Sequence, residues 1–453
     1  MLLRQFVDED LGCASYLVGD EEAGEAILID PAYAIEPYLA AAAEHGVDIV
    51  RVLETHTHAD HVSGHGRLAL EHGIPVSVHR QAGAEYPHDD LVDDDEIAAG
   101  AVTIRTIHTP GHRPEHCCFL AFAGRSAPGQ SPDVRVGGAL FTGDSLFVGS
   151  AARPDLAVEA REGAEDLFRS LERLAGLPDE TEIDPGHTGG SLCGAGLSRA
   201  RVSTLQVEKL SNQALAIEDV HEFVAHSASI AAPRPPTVDR VVELNRGPFL
   251  AAQPPLERLD AVRGQLLDVR PAAVYAAGHA HGAVNVALDG SSVGTKAGFV
   301  LDHDMPITIQ AGSADEAEEA ARRLYAVGLL DVAGWVEGLE TPERIEPVGL
   351  DELEALLERD AVEVVDVREK DERDEGYIAG SRHIPYRLVR AYRDELDNER
   401  PVVTICSSGA RAGVAASVLA AVGVDARPVL EGGVDDWQER GHPLTAFRRC
   451  GSG

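Results

Sequence analysis

Three features of the 453-residue sequence predict an α/β protein: a metal-binding sandwich followed by a small α/β domain present twice. Residues 1 to about 230 alternate short β-branched runs with helical stretches. Four of the predicted strand ends there deliver histidine or aspartate through tight turns. The second half of the chain repeats itself at an offset of about 96–98 residues, too long for a solenoid and right for tandem domains. The boundaries fall near 245 and 347, giving segments 1–245, 246–346 and 347–453.

In chain order, Ala26-Ile-Leu-Ile-Asp-Pro31 reads as a strand ending in a turn, and Ile49-Val-Arg-Val-Leu53 as a strand running into a histidine cluster. Val102–Ile107, His116–Leu120 and Gly138–Phe141 are further strands. Ala164, Leu167, Phe168, Leu171 and Leu174 recur at three- and four-residue spacing and mark one face of an amphipathic helix. The proline-rich stretch 229–257 reads as a linker or irregular connection. Beyond it, Leu266-Leu-Asp-Val-Arg270 recurs as Val364-Val-Asp-Val-Arg368, Gly278–Val286 parallels Gly376–Ile384, and Val336-Glu-Gly-Leu339 parallels Leu430-Glu-Gly-Gly433. Pro306–Gln310 parallels Val402–Cys406, each followed by a helix.

Composition excludes several function classes. The formal net charge is −37, and the lysines are three: Lys209, Lys296 and Lys370. So acidic a surface repels phosphate backbones and anionic headgroups, so neither nucleic acid nor a membrane is an expected partner. The same acidity fits plain solubility or a high-salt habitat equally. No apolar run approaches the ~18–20 residues that span a bilayer, and no signal peptide opens the chain, so the expected location is the cytoplasm. Cys13, Cys117, Cys118, Cys193, Cys406 and Cys450 are too few and too irregular for a disulfide framework and are expected to be reduced.

The first chemical constellation is Thr55-His56-Thr57-His58-Ala59-Asp60-His61, directly after a buried strand. Imidazole and carboxylate groups in a loop leaving a strand can converge on one ion. Thr109-Pro-Gly-His112, Phe141-Thr-Gly-Asp144 and Asp184-Pro-Gly-His187 each bring one more ligand through a turn that glycine permits. Seven candidate ligands on four strand ends describe a metal site at one edge of a sandwich. The other histidines of this region, among them His45, His65, His72, His79, His88, His108, His221 and His226, have no such pattern. His116 lies close enough to support a ligand.

These motifs resemble the metallo-β-lactamase superfamily, an αββα sandwich, over about the first 200–230 residues. The resemblance admits two chemistries. Glyoxalase II-type hydrolases hold two metals, zinc or iron, and cleave glutathione thioesters. In that pattern His56, His58, His112 and Asp144 would hold one metal, and Asp60, His61, His187 and shared Asp144 the other. Persulfide dioxygenases use one Fe(II) per chain. By that resemblance its ligands would be His56, His112 and Asp144, with His58, Asp60, His61 and His187 orienting them. The stretches Thr109–His116 and Asp144–Leu156 look more like the persulfide dioxygenases fused to rhodanese domains, although Arg113 and Ala152 stand where threonine and glycine are expected. Arg153 and Asp155 read as a structural ion pair.

The second constellation is Cys406-Ser407-Ser408-Gly409-Ala410-Arg411, between a strand and a helix. A cysteine there faces unsatisfied backbone N–H groups and the positive end of the helix dipole, which favours thiolate. The loop can curl into an anion-binding nest that Arg411 closes and that suits a cysteine persulfide. With Asp366-Val-Arg368 and Leu430-Glu-Gly-Gly433 it resembles the rhodanese (sulfurtransferase) family over residues 347–447. Six residues from Cys406 to Arg411 is the sulfur-transferring loop size, shorter than that of related phosphatases. In the first repeat, Gln310 aligns with Cys406 and Asp315 with Arg411, so that repeat is expected to be catalytically silent.

Together the resemblances imply that a low-molecular-weight thiol persulfide and O₂ give sulfite and thiol at iron, and that Cys406 then passes sulfur to sulfite, making thiosulfate. Glutathione, coenzyme A, bacillithiol, mycothiol and γ-glutamylcysteine all remain open as the carrier thiol. The oligomeric state is not written in the sequence; related enzymes commonly form homodimers or tetramers, which leaves a homo-oligomer open. The alternative is a binuclear thioester hydrolase with accessory rhodanese domains.

Overall fold

The computed structural model describes residues 1–123, 138–152, 160–188, 200–228, 234–396 and 399–446. Arg153, Asp155, Cys193 and Cys450 lie outside the described residues. The chain divides into two units: Met1–Gln253 with Tyr325–Gly328, and Pro254–Leu324 with Leu329–Gly453.

The first unit is built on two six-stranded sheets. One runs in the order Leu2–Val7, Ala14–Asp20, Glu25–Ile29, Asp48–Leu53, Val76–His79, Asp89–Leu91. The other runs Ser203–Thr204, Glu182–Pro185, Ala139–Gly143, Cys117–Ala123, Val102–His108, Glu96–Ala99. Successive side chains on a strand point to opposite faces, and these strands are apolar on both. Tyr16, Val18, Ile27 and Ile29 meet Ile104, Cys117, Phe119 and Phe141 between the sheets. Leu17, Ala26 and Leu28 instead face the helix Glu36–His45 through Tyr38 and Ala41. Cys118, Leu120 and Phe122 face the helix Ala160–Ala175 through Leu167 and Leu171. The result is the αββα sandwich, with the predicted amphipathic helix as one outer layer.

Residues 238–246 depart from the linker reading. Val238–Arg246 is a helix that buries Val238, Val241 and Asn245, positions spaced by three and four. The flanking prolines hid this single buried stripe.

The second unit carries two four-stranded parallel sheets of identical order. The first is Val284–Asn285, Gln265–Asp268, Ile307–Gln310, Val332–Val336, and the second Arg382–His383, Glu363–Asp366, Val402–Ile405, Ala426–Pro428. Strand pairing corrects the alignment of the repeats by one residue. Asp268 pairs with Gln310, but its counterpart Asp366 pairs with Ile405. Gln265 N donates to Pro306 O as Glu363 N donates to Pro401 O. Ala311 therefore occupies the place of Cys406, and Glu316 that of Arg411. The sequence alignment slid because both strands read as interchangeable β-branched runs. Ala311 offers no nucleophile, and Glu316 Oε2 accepts the Gly312 N–H at 2.8 Å, filling the loop with the chain's own carboxylate. Among the described residues no helix is long and apolar enough to cross a membrane.

Candidate metal centre and cysteine loop

The cluster Thr55–His61 leaves the strand Asp48–Leu53 and is shaped from beneath by Asp30, which follows the neighbouring strand Glu25–Ile29. Asp30 accepts from Thr55 N and Thr55 Oγ1, each at 2.7 Å. From the other sheet, Cys117 N donates to Thr55 O at 2.8 Å. The loop is thus tied to both layers before any ion is considered.

His56, His112 and Asp144 are buried, and their donor atoms lie within 4.8 Å of one another. His56 Nδ1 contacts Thr55 Oγ1 at 2.9 Å, leaving Nε2 buried with no hydrogen-bond partner. The His56 and His112 rings stand edge to face, 5.0 Å between centroids. Burial, then the neighbouring rings of His58 and His112, hold His56 well below the usual histidine range, which keeps it a neutral donor. His116 completes this corner. Asp144 N donates to its Nε2 at 3.0 Å, while its Nδ1 faces Thr109 Oγ1 at 2.9 Å and Ser145 Oγ at 3.1 Å. Burial pushes His116 down to about 3, so it stays neutral and fixes the Asp144 backbone.

His58 turns its Nε2 toward Asp30 Oδ1 and Glu54 Oε2, each at 3.2 Å, leaving a buried Nδ1 without a partner. Burial alone would lower it; the two carboxylates outweigh that and hold it well above the histidine range. Glu54 also receives Ser63 Oγ at 2.6 Å and contacts His65 Nδ1 at 3.0 Å. Burial opposes its charge, but His58 and His65 bring it down to about 2. His58, Asp60 and His61 form another group with donor atoms within 4.8 Å, and Cys13, Asp60 and His187 a further one. His187 Nε2 lies 3.5 Å from Asp60 Oδ2 and 3.3 Å from Asp144 Oδ1. All seven residues singled out in the sequence therefore gather at one edge of the sandwich. Buried nitrogens without partners and carboxylates at contact distance form a donor set that fits a divalent transition ion.

Several supporting residues escaped the sequence reading. Asn245 Nδ2 donates to His58 O at 3.0 Å and His61 O at 2.8 Å, and Asn245 Oδ1 accepts from Ser63 N at 2.9 Å. Its signal was weak, a single amide at the end of a helix that reads as a linker. Arg113, the departure from the family pattern, is buried and donates to Glu115 Oε1 at 2.7 Å, which also accepts Thr57 N at 3.3 Å. Ala152 is buried in the core beneath the helix Ala160–Ala175.

In the second unit, Cys406 is buried and Gly409 N donates to its Sγ at 3.1 Å. Gly409 has φ +88°, and a Cβ there would meet Leu430 O at 2.1 Å, so the curl requires glycine. Gly433 packs as tightly: a Cβ would meet Ser407 O at 2.1 Å and Cys406 O at 2.3 Å. The helix Ala410–Ala420 starts at once, aiming its amino end at the loop. Arg411 is held by Glu372, with Nη2 2.6 Å from Oε1, and by Ser407 Oγ at 2.7 Å. Burial opposes the charge of Glu372, but Arg411 lowers it below the carboxylate range. Ser408 and Ala410 complete the loop.

A family model described as the metallo-beta-lactamase superfamily matches residues 8–126, and one described as a rhodanese-like domain matches residues 349–440. The human "Persulfide dioxygenase ETHE1, mitochondrial" is 31% identical over 249 residues, 54% of this chain and 87% of that protein. A "Hydroxyacylglutathione hydrolase" from Polaromonas sp. is 34% identical over 177 residues, 38% of this chain and 61% of that protein. The solved structure of a metallo-beta-lactamase from Staphylococcus aureus subsp. aureus COL is similar with TM-score 0.66 and 29% identity, covering 74% of this chain and 98% of its own. Fold, metal edge and matches define a metallo-β-lactamase-superfamily enzyme. Within it, the chain belongs to the persulfide dioxygenase family and carries a rhodanese-like domain at its carboxyl end.

Two outcomes follow from this geometry. Asn245→Leu should cost about 1–3 kcal/mol, by leaving buried backbone groups unpaired, and should lower the metal content, read by urea unfolding and elemental analysis. Glu54 lies near 2 when folded, against about 4.3 for a free glutamate. Its contribution to stability is complete above the free value and is lost as pH falls through the folded one. Glu54→Gln should therefore reduce stability at pH 7 and flatten the acid limb between about pH 4 and 2; an acid limb superimposable on wild type would contradict the assignment.

Proposed function

We propose that the chain oxidises a low-molecular-weight thiol persulfide at one non-heme Fe(II) and passes sulfur to the product at Cys406. The observation that carries this reading is the convergence of His56, His112 and Asp144 in a chain that also bears the Cys406 loop. Two histidines and one carboxylate leave open positions on an iron for both a sulfur ligand and O₂. His56, His112 and Asp144 would hold the iron, which would supply the redox chemistry that joins a persulfide sulfur to O₂. The overall change is RSSH + O₂ + H₂O → RSH + SO₃²⁻ + 2 H⁺.

The chain's own residues do the positioning. Thr55 and His116 set His56 and Asp144, and the Asp30–Glu54 pair orients His58 with Nδ1 turned inward. Asp60, His61 and His187 line the adjoining side and orient the ligands. At the other site the Cys406 thiolate attacks the outer sulfur of RSSH, the S–S bond breaks and the thiol leaves. Gly409 N–H donates to the sulfur, and the bracing of Arg411 by Glu372 keeps a cation beside the loop. The sulfur lone pair of sulfite then takes the outer sulfur from Cys406, giving thiosulfate and restoring the thiolate. We place this chemistry in the cytoplasm, as a step of sulfide catabolism in which Cys13, Cys117, Cys118 and Cys406 remain free thiols.

Metal analysis of the purified protein should find one iron per chain and O₂ consumption with a thiol persulfide. Paired zinc, thioester cleavage and indifference to O₂ would establish the hydrolase instead. His112→Ala should lower oxygen uptake at least about 100-fold, since even outer partners of metal ligands cost up to that much, while sulfur transfer persists. Cys406→Ser should do the reverse, with sulfite accumulating in place of thiosulfate and no residual transfer from the Ala311 loop.

A further inference from the structure

The silent repeat and the Cys406 loop frame a cavity to which the chemistry described so far gives no occupant. It measures about 640 Å³ and lies wholly within the second unit. Ser408, Gly409 and Ala410 form one wall, and Gly409 is the residue whose N–H donates to the Cys406 sulfur at 3.1 Å. A second wall comes from the first repeat, through Ala272, Ala273 and residues 285–287. The two repeats are pinned around this space. Asn285 N donates to Ser417 Oγ at 2.9 Å, and Leu430 packs on the core of the first repeat. The Phe299 and Tyr386 rings meet edge to face with 5.9 Å between centroids. A cavity of this size between fixed elements is in the range that holds a small organic ligand.

Its lining defines the chemistry of that ligand. Val286, Val348 and Val414 are buried and make an apolar floor. Lys296, one of three lysines in the chain, is half-buried in the wall, on the helix Val293–Val300 that also carries Phe299. Its Nζ donates to Ser291 O, which holds the ammonium beside Gly290 of the same wall. Asp289 of the silent repeat and Glu431 of the active one are exposed at the edge. An organic body seated here meets one cation and two carboxylates around an apolar centre. A polyphosphate body meets like charges in a chain of net charge −37, and an uncharged body leaves all three groups unanswered.

We propose that this cavity seats the organic part of the persulfide that charges Cys406, and that this part bears both an ammonium and a carboxylate, as an amino-acid thiol does. Lys296 takes the carboxylate, Asp289 and Glu431 face the ammonium, and the apolar floor covers the carbon chain. The role as donor site rests on Cys406 accepting persulfide sulfur, as proposed above; the choice of ligand does not. With the body seated, the Cys406 thiolate takes the outer sulfur and the RS–SH bond breaks. The proton leaves on RSH, and Cys–S–S⁻ remains. The repeat without a nucleophile thus serves as the wall that selects the donor.

The test uses the full-length chain without O₂, with sulfite as acceptor and thiosulfate as the product measured. Glutathione persulfide and coenzyme A persulfide are compared as donors, each by kcat/KM, and the ratio of the two is independent of the fraction of chain that folds. The parent protein should favour glutathione persulfide. Lys296→Glu should cut that preference about fivefold, the strength of an ion pair at the top of the exposed range, through KM rather than kcat. Asp289→Lys with Glu431→Lys should cut it likewise, by admitting the polyanion. Equal kcat/KM for the two donors in the parent, or a ratio that neither charge reversal moves, overturns the proposal. Titration calorimetry with S-methylglutathione, which has the body but no transferable sulfur, should lose one site on Ala273→Trp, an exposed position on the cavity wall. Loss of no site overturns the proposal as well. No sulfur transfer from any donor, with that calorimetric site present, would sink the Cys406 reading alone.

Discussion

One buried carboxylate, Asp30, determines whether the metal edge exists. It sits in a left-handed backbone conformation, φ 49°, which costs a residue with a Cβ about 1 kcal/mol or more. Its side chain takes both the amide and the hydroxyl of Thr55 and faces His58, so one strained residue fixes the start of the ligand loop and the direction of one imidazole. Glu54 extends this to His65 and Ser63, and Asn245 clips the far end of the loop. Most of these partners are buried, where an unsatisfied group costs about 1–3 kcal/mol. These bonds fix the loop's backbone in one arrangement, and the buried imidazole nitrogens left without partners inherit it.

What could be read in advance follows from where information is local. The αββα sandwich was legible through the resemblance that the metal motifs carry, and strands such as Asp48–Leu53 and Cys117–Ala123 through their β-branched or apolar runs, whereas Ala14–Asp20 emerges only in the structure. The cluster of candidate ligands was legible because histidine and aspartate after Pro-Gly or Thr-Gly turns have few other uses. The residues that hold those ligands were not. Asp30 and Glu54 read as ordinary acids in a chain of net charge −37. Cys13 is near Asp60 only because two strands far apart in sequence share an end, a fact of topology rather than motif.

The duplicated domain shows the opposite failure. Its repetition was obvious, but the pairing of β-branched strands carries no register in the letters themselves. The strand partners of Asp268 and Asp366, together with the hydrogen bonds from Gln265 and Glu363 to Pro306 and Pro401, show that Ala311, not Gln310, stands where the thiol would be. Sequence similarity located the domains; backbone pairing located the missing atom.

That missing atom has an evolutionary consequence. In the silent copy the carboxylate of Glu316 lies against the same backbone amide region that a sulfur anion would need. Restoring cysteine at 311 by one mutation would create a thiol facing a negative charge, with no gain for selection to keep. Two coordinated changes, at Ala311 and at Glu316, separate this copy from a thiol loop like that of Cys406, and neither alone gives selection anything to keep.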